Sequence, residues 1–278
     1  MDMQIRCKMR ILIILVLSLF TLSSFGQQLE DTLVKELFTR YNVNGSITLY
    51  DSKTAKWYFT DSTDSKLPSL PASTFKIINT LIAFQEGVIS SVDDTFRFDN
   101  REIDTLKYGY RPSTYKDATI STAFKKSIVW VYRDIAQQID DSMYLEYLNE
   151  INYGDNEINS ESIDFWNYGD FGVTPVQQIN MLIKLYDREL PFDKKFQSSV
   201  INIMYDGKFE GHKVFGKTGW TRYESEHIGW WVGFIDVGHG SIYFATRVRR
   251  PIASGSNGFS ESRKMITLEL IKHLLGGY

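Results

Sequence analysis

The chain is predicted to fold as an α/β protein, an antiparallel sheet flanked by helices and closed by segments from both chain ends, with an all-helical subdomain inserted in the middle. Three observations carry this reading. Strand-like runs lie near both ends, helical periodicity fills the centre, and 43% of the 278 residues are hydrophobic against 23% charged, which suits one compact body of one or two subdomains. The α/β part is placed at about 27–72 and 190–278, and the helical part at about 73–189.

At the N-terminus, basic Arg6, Lys8 and Arg10 precede the uncharged run from Ile11 to Leu22, and Ser24, Phe25 and Gly26 follow. Small residues at both positions read by signal peptidase make residues 1–26 a signal peptide, cleaved near Gly26. The apolar run is shorter than the roughly 20 residues needed to span a bilayer, so no stable membrane anchor is expected. A periplasmic or secreted protein is. The single cysteine, Cys7, lies in this leader, leaving the mature chain without a thiol for a disulfide, a zinc site or a nucleophile. Cleavage removes more basic than acidic residues from a chain of formal charge −3, which argues against nucleic acid as a partner.

Ser46 to Tyr50 and Trp57 to Thr60 alternate around a polar connection and read as a β-hairpin. From Pro71 the period changes: Phe75, Ile78, Leu81, Ile82 and Phe84 recur at helical spacing up to Gly87. A polar stretch leads to a second helical pattern on Ala123, Ile128, Val131, Ile135 and Ile139. Tyr144 to Leu185 is again mostly helical, broken by a polar loop from Tyr153 to Asp164. Gly229 to Asp236 and Ser241 to Val248 form a second hairpin, and Ser260 is read as the N-cap of a last helix carrying Met265, Leu268, Ile271 and Leu275.

Ser73 and Lys76 stand three residues apart, a spacing that puts both on one helix face. The chain holds a second such pair, Ser113 and Lys116, but in a polar stretch, whereas Ser73 follows Pro71 and opens a strongly apolar helix. That setting suits a nucleophile, because burial and the positive end of a helix disfavour an ammonium and leave Lys76 able to act as a base. Free N–H groups at the helix start suit an oxyanion. Lys217, Thr218 and Gly219 are expected at a strand edge beside a groove, where the glycine lets a substrate backbone approach and the edge can pair with an amide. Ser127 breaks an apolar helical segment. The four histidines form no metal motif, and no Gly-x-Ser-x-Gly elbow or phosphate loop is present. The acidic pairs Asp93–Asp94 and Asp140–Asp141 sit where helix caps or solvated faces suffice.

In this order, Ser73-Thr74-Phe75-Lys76, Ser127-Ile128-Val129, Tyr153-Gly154, Phe165-Trp166 and Lys217-Thr218-Gly219 resemble the class D serine β-lactamases, from about Pro71 to the C-terminus. The paired tryptophans Trp230 and Trp231 reinforce the likeness. The resemblance implies a serine β-lactamase/penicillin-binding transpeptidase-like fold and hydrolysis of β-lactam antibiotics by a monomer or homodimer. It implies that Ser73 is acylated and that Lys76 is modified to N6-carboxylysine by carbon dioxide or bicarbonate and serves as general base, with no metal and no other cofactor. Ser127 and Lys217 would carry the proton to the leaving nitrogen. Val129 and Phe75 would line the pocket, Trp166 would hold the modified lysine, and Thr218, Gly219, Trp220 and Arg263 would bind substrate, with the N–H groups of Ser73 and Trp220 as oxyanion hole. Two departures stand out: Asp155 where asparagine is usual, expected to add charge near the site, and Asn167 where leucine is usual, expected to wet the surroundings of Lys76. The rival readings are a penicillin-binding transpeptidase and a β-lactam sensor domain, both acylated without turnover.

Overall fold

The computed structural model describes residues 27–28, 31–158 and 163–275, so the leader lies outside the described residues. A seven-stranded sheet runs in the order β1-β3-β2-β9-β8-β7-β6. Its strands are β1 (Gln27–Gln28), β2 (Asn44–Asp51), β3 (Lys56–Phe59), β6 (Tyr205–Phe209), β7 (His212–Tyr223), β8 (Glu226–Asp236) and β9 (Ser241–Pro251). A separate pair joins β4 (Thr95–Phe96) to β5 (Ala118–Thr119). All neighbours in the large sheet are antiparallel except β1 and β3. Pairing of β2 with β9, Ile47 opposite Thr246, joins the two ends of the chain as expected.

Both faces of the sheet are covered, and the two-residue period of β8 shows it. Trp230, Val232 and Phe234 point into a core shared with the central helices, whereas Trp231 and Ile235 point to the opposite face. That second face packs against α1 (Asp31–Arg40) and the C-terminal helix α8 (Phe259–Leu275) through Leu37, Ile266 and Leu270. On the first face lie α2 (Lys76–Gln85), α3 (Ile120–Lys126), α4 (Val129–Ala136), α5 (Asp141–Ile151), α6 (Pro175–Asp187) and α7 (Lys194–Ile203). Helix α6 starts on a capping box between Thr174 and Gln177, with Pro175 in its first turn, and packs on β9. One continuous core therefore runs from sheet to helices.

The break expected at Ser127 is present: the residue takes a left-handed conformation (φ 52°) and turns the chain between α3 and α4. Helix α8 (Phe259–Leu275) begins one residue before Ser260, which makes Ser260 a first-turn residue rather than the cap. Lys217 to Gly219 lies within the long strand β7.

Candidate active site

Ser73 sits in a 3-10 turn, Ala72–Phe75, that runs directly into α2. The turn is capped by Pro71, and no side chain caps it, so Ser73 is not a helix-capping serine. Ala72 just before it is left-handed (φ 51°), a strained state for a residue with a Cβ that persists only where the surroundings fix it. They do so from several sides. Thr74 Oγ1 donates to Pro71 O at 2.7 Å and accepts from Gln178 Nε2 at 2.9 Å, while Tyr153 OH donates to Gln178 Oε1 at 3.0 Å, all in the buried interior. Tyr153 thus supports the Ser73 turn from below. Gly154 beside it (φ 90°) leaves room for the Phe171 ring, which a Cβ would strike at 2.3 Å.

The segment leading to Ser73 is fastened to the sheet. The guanidinium of Arg247, with no solvent exposure, pairs with Asp64 at 2.7 Å and donates to Leu67 O at 2.8 Å and Ser69 Oγ at 3.0 Å. Trp230 Nε1 donates to Leu70 O at 2.9 Å. Gly219 completes the junction. A Cβ there would stand 2.8 Å from Pro71 O and 3.2 Å from Thr74 Cγ2. The glycine therefore lets β7 press against the serine turn, a reason different from the substrate approach expected of it.

Lys76 is fully buried one turn on from Ser73, beneath Phe75, which stacks on Trp166 at 5.2 Å. Its Nζ lies 4.5 Å from the centre of the Tyr132 ring. Burial, and then the charge of Arg111, bring its pKa down to about 7, with Asp164 opposing. Lys76 Nζ, Trp166 Nε1 and Asn167 Nδ2 are buried without a hydrogen-bond partner among the described residues. By contrast, Ser113 and Lys116 are exposed.

Lys217 Nζ donates to Ser127 Oγ at 2.5 Å and to Thr218 O at 2.9 Å. Burial and the neighbouring charges of Lys76 and Arg263 hold it well below an ordinary lysine. Strand β6 pairs with β7 only from His212 to Phe215. From Thr218 to Arg222 β7 lines a cleft of about 690 Å³. Ser73, Ser127, Val129, Asn167, Thr218, Gly219, Trp220 and Arg263 all line it. Arg263 is buried, donates to Gly219 O and Ser260 O, and is lowered to about 10 by burial. Phe75, expected to line the pocket, is instead fully buried, as are Lys76 and Trp166, and Lys217 is nearly so.

Asp155 is the exception among the departures. Its carboxylate accepts from Gly172 N at 2.9 Å and lines a different cavity with Pro68 and Ser69, so its charge lies away from the serine cleft. The acid that acts on Lys76 is Asp164, which accepts from Tyr108 OH at 2.7 Å and Lys107 Nζ at 3.3 Å. Asp164 and Arg111 were missed in the sequence because neither belongs to a short motif and each is brought in by a loop.

The penicillin-binding protein transpeptidase domain model matches residues 41–271. β-Lactamase OXA-2 of Salmonella typhimurium is 32% identical over 243 residues, 85% of each chain. The crystal structure of a class D β-lactamase from Sebaldella termitidis superposes with a TM-score of 0.82 at 30% identity, covering 90% of this chain and 98% of that one. The chain belongs to the class D serine β-lactamases. It is therefore a hydrolase with the transpeptidase fold, as the resemblance implied. Regulatory protein BlaR1 of Bacillus licheniformis is also similar, at 27% identity, over 81% of this chain but only 36% of its own. Among the described residues no helix is long and apolar enough to cross a membrane.

Proposed function

We propose that this enzyme is exported and hydrolyses penicillin-type antibiotics through a Ser73 acyl-enzyme, with Lys76 carboxylated in the resting state. The observation that carries this is that two nitrogens, Lys76 Nζ over the Tyr132 ring and Nε1 of Trp166, whose ring stacks on Phe75, are both buried without a hydrogen-bond partner among the described residues. An amine brought down to about 7 is largely neutral at physiological pH, which addition of carbon dioxide requires. Carbon dioxide on that amine supplies a carboxylate base, and Trp166 Nε1 is the donor free to hold it.

Ser73 Oγ attacks the lactam carbonyl and yields its proton towards Lys76. The carbonyl–nitrogen bond breaks and the nitrogen takes the proton of Ser127 Oγ, which is replaced through Lys217 by the proton that Ser73 gave up to Lys76. Water then attacks the ester carbonyl, giving its proton to Lys76 as base, and Ser73 Oγ leaves and takes that proton up. The N–H groups of Ser73 and Trp220 serve the oxyanion, and Lys217, Thr218 and Arg263 present positive charge and donors to the substrate carboxylate. Asn167, whose amide nitrogen is unpartnered, favours hydration near Lys76 and hence dependence on added bicarbonate.

Purified enzyme incubated with benzylpenicillin is expected to turn over many equivalents and to lose this in Ser73→Ala. A stop after about one equivalent identifies an acylated sensor or transpeptidase instead. Equal burst and steady-state rates with and without bicarbonate count against the carboxylated lysine.

A further inference from the structure

The end of α3 is closed by Ser127 N donating to Phe124 O at 3.2 Å and Ile128 N donating to Ala123 O at 2.9 Å. The carbonyls of Lys126 and Ser127 are met from outside the helix by the guanidinium of Arg111, whose Nη2 donates to Lys126 O at 2.7 Å and Nη1 to Ser127 O at 3.2 Å. Arg111 is itself anchored. Its N–H donates to Tyr115 OH at 3.0 Å, and its carbonyl accepts from Thr114 N at 2.9 Å and Thr114 Oγ1 at 2.8 Å. It lines the cleft together with Ser73 and Ser127.

We propose that Arg111 is a positioning residue of this reaction: its fork to Lys126 O and Ser127 O fixes the Ser127 turn against Lys217. Its charge is a second contribution, smaller than burial, that acts on Lys76. The inference rests on the roles given above to Lys76 and Ser127. A left-handed serine is held only where its surroundings over-determine it, and two hydrogen bonds from one planar group do this better than a point charge. The charged and titratable groups facing Lys76 are Arg111 from the loop after Gly109, Asp164 from the turn before Phe165, Lys217 from β7 and the Tyr132 ring from α4. Asp164 is engaged by Lys107 and Tyr108, whereas a guanidinium stays charged throughout the working pH range.

The two contributions separate in two variants of the purified enzyme. Arg111→Gln removes the charge. The acid limb of kcat/KM for benzylpenicillin then moves up by about half a pH unit or more, and the carbon-13 signal of labelled carbon dioxide on lysine needs more bicarbonate for half-saturation at fixed pH. Arg111→Lys keeps the charge but loses the fork. The limb stays in place while kcat falls roughly tenfold. Wild-type limb and kcat in both variants, or an equal loss in both with an unmoved limb and a lowered Tm, overturns the proposal. If wild-type enzyme gives no carbon-13 signal, the reading of Lys76 fails, and the kcat of Arg111→Lys still decides whether the fork positions Ser127.

Discussion

Lys76 opposes the stability of the protein that depends on it. An ordinary lysine titrates near 10.5, and this one near 7. As pH falls from about 10.5 the unfolded chain takes up the proton first, so the folded state loses stability progressively down to about 7 and by a constant amount below. The loss is at most roughly 5 kcal/mol. Lys76→Met is therefore expected to abolish turnover yet raise Tm at neutral pH in bicarbonate-free buffer, by several degrees; a lowered Tm would show that the amine has a partner stabilising its charge. For the same reason kcat/KM should fall as pH drops through about 7. Arg247 differs in that its buried charge is paired. Arg247→Met removes the 2.7 Å partner of Asp64, which then keeps only Ser46 and the more distant Arg249 among the described residues, and takes a donor from Leu67 O; it is expected to destabilise by about 3 kcal/mol, read from denaturant unfolding.

At the scale of elements, catalysis depends on how closely β7 meets the Ser73 turn. Gly219→Ala places a methyl 2.8 Å from Pro71 O, where the neighbour is backbone and cannot swing away. A shift near 1 Å at a reacting centre is worth about 10²-fold, so kcat should fall by that order with a stability loss of about 1–3 kcal/mol. Loss of activity through KM alone, with kcat intact, would refute this reading of the glycine. Strand β7 was visible in the sequence only as a strand edge at Lys217 to Gly219. Lys213, Lys217, Thr218 and Arg222 break its alternation, because part of it faces the cleft instead of a core. Its neighbour β8 is buried throughout on both faces but for its two end residues, and was read from its aromatic run alone.

Over the whole molecule, an acidic chain carries a basic cleft. Lys107, Arg111, Lys125, Lys126, Arg222 and Arg263 line it, and among the described residues no carboxylate side chain does. Penicillins are anions, so kcat/KM for benzylpenicillin is expected to decline between low salt and 0.5 M salt while kcat holds; the absence of a salt effect would place the field elsewhere.

What the sequence determined by itself was local. The three-residue spacing of Ser73 and Lys76, the apolar helix that follows, the β-rich C-terminal segment and the order of motifs all follow from periodicity and side-chain chemistry along the chain. Tertiary structure decided what stands opposite what. It brought the charges of Asp164 and Arg111 to bear on Lys76, sent Asp155 to another cavity, tied Tyr153 through Gln178 to the serine turn and gave Gly219 a packing role. Electrostatics and steric contact depend on distance in space, and these partners lie tens of residues or more apart in sequence, where no pattern along the chain records them.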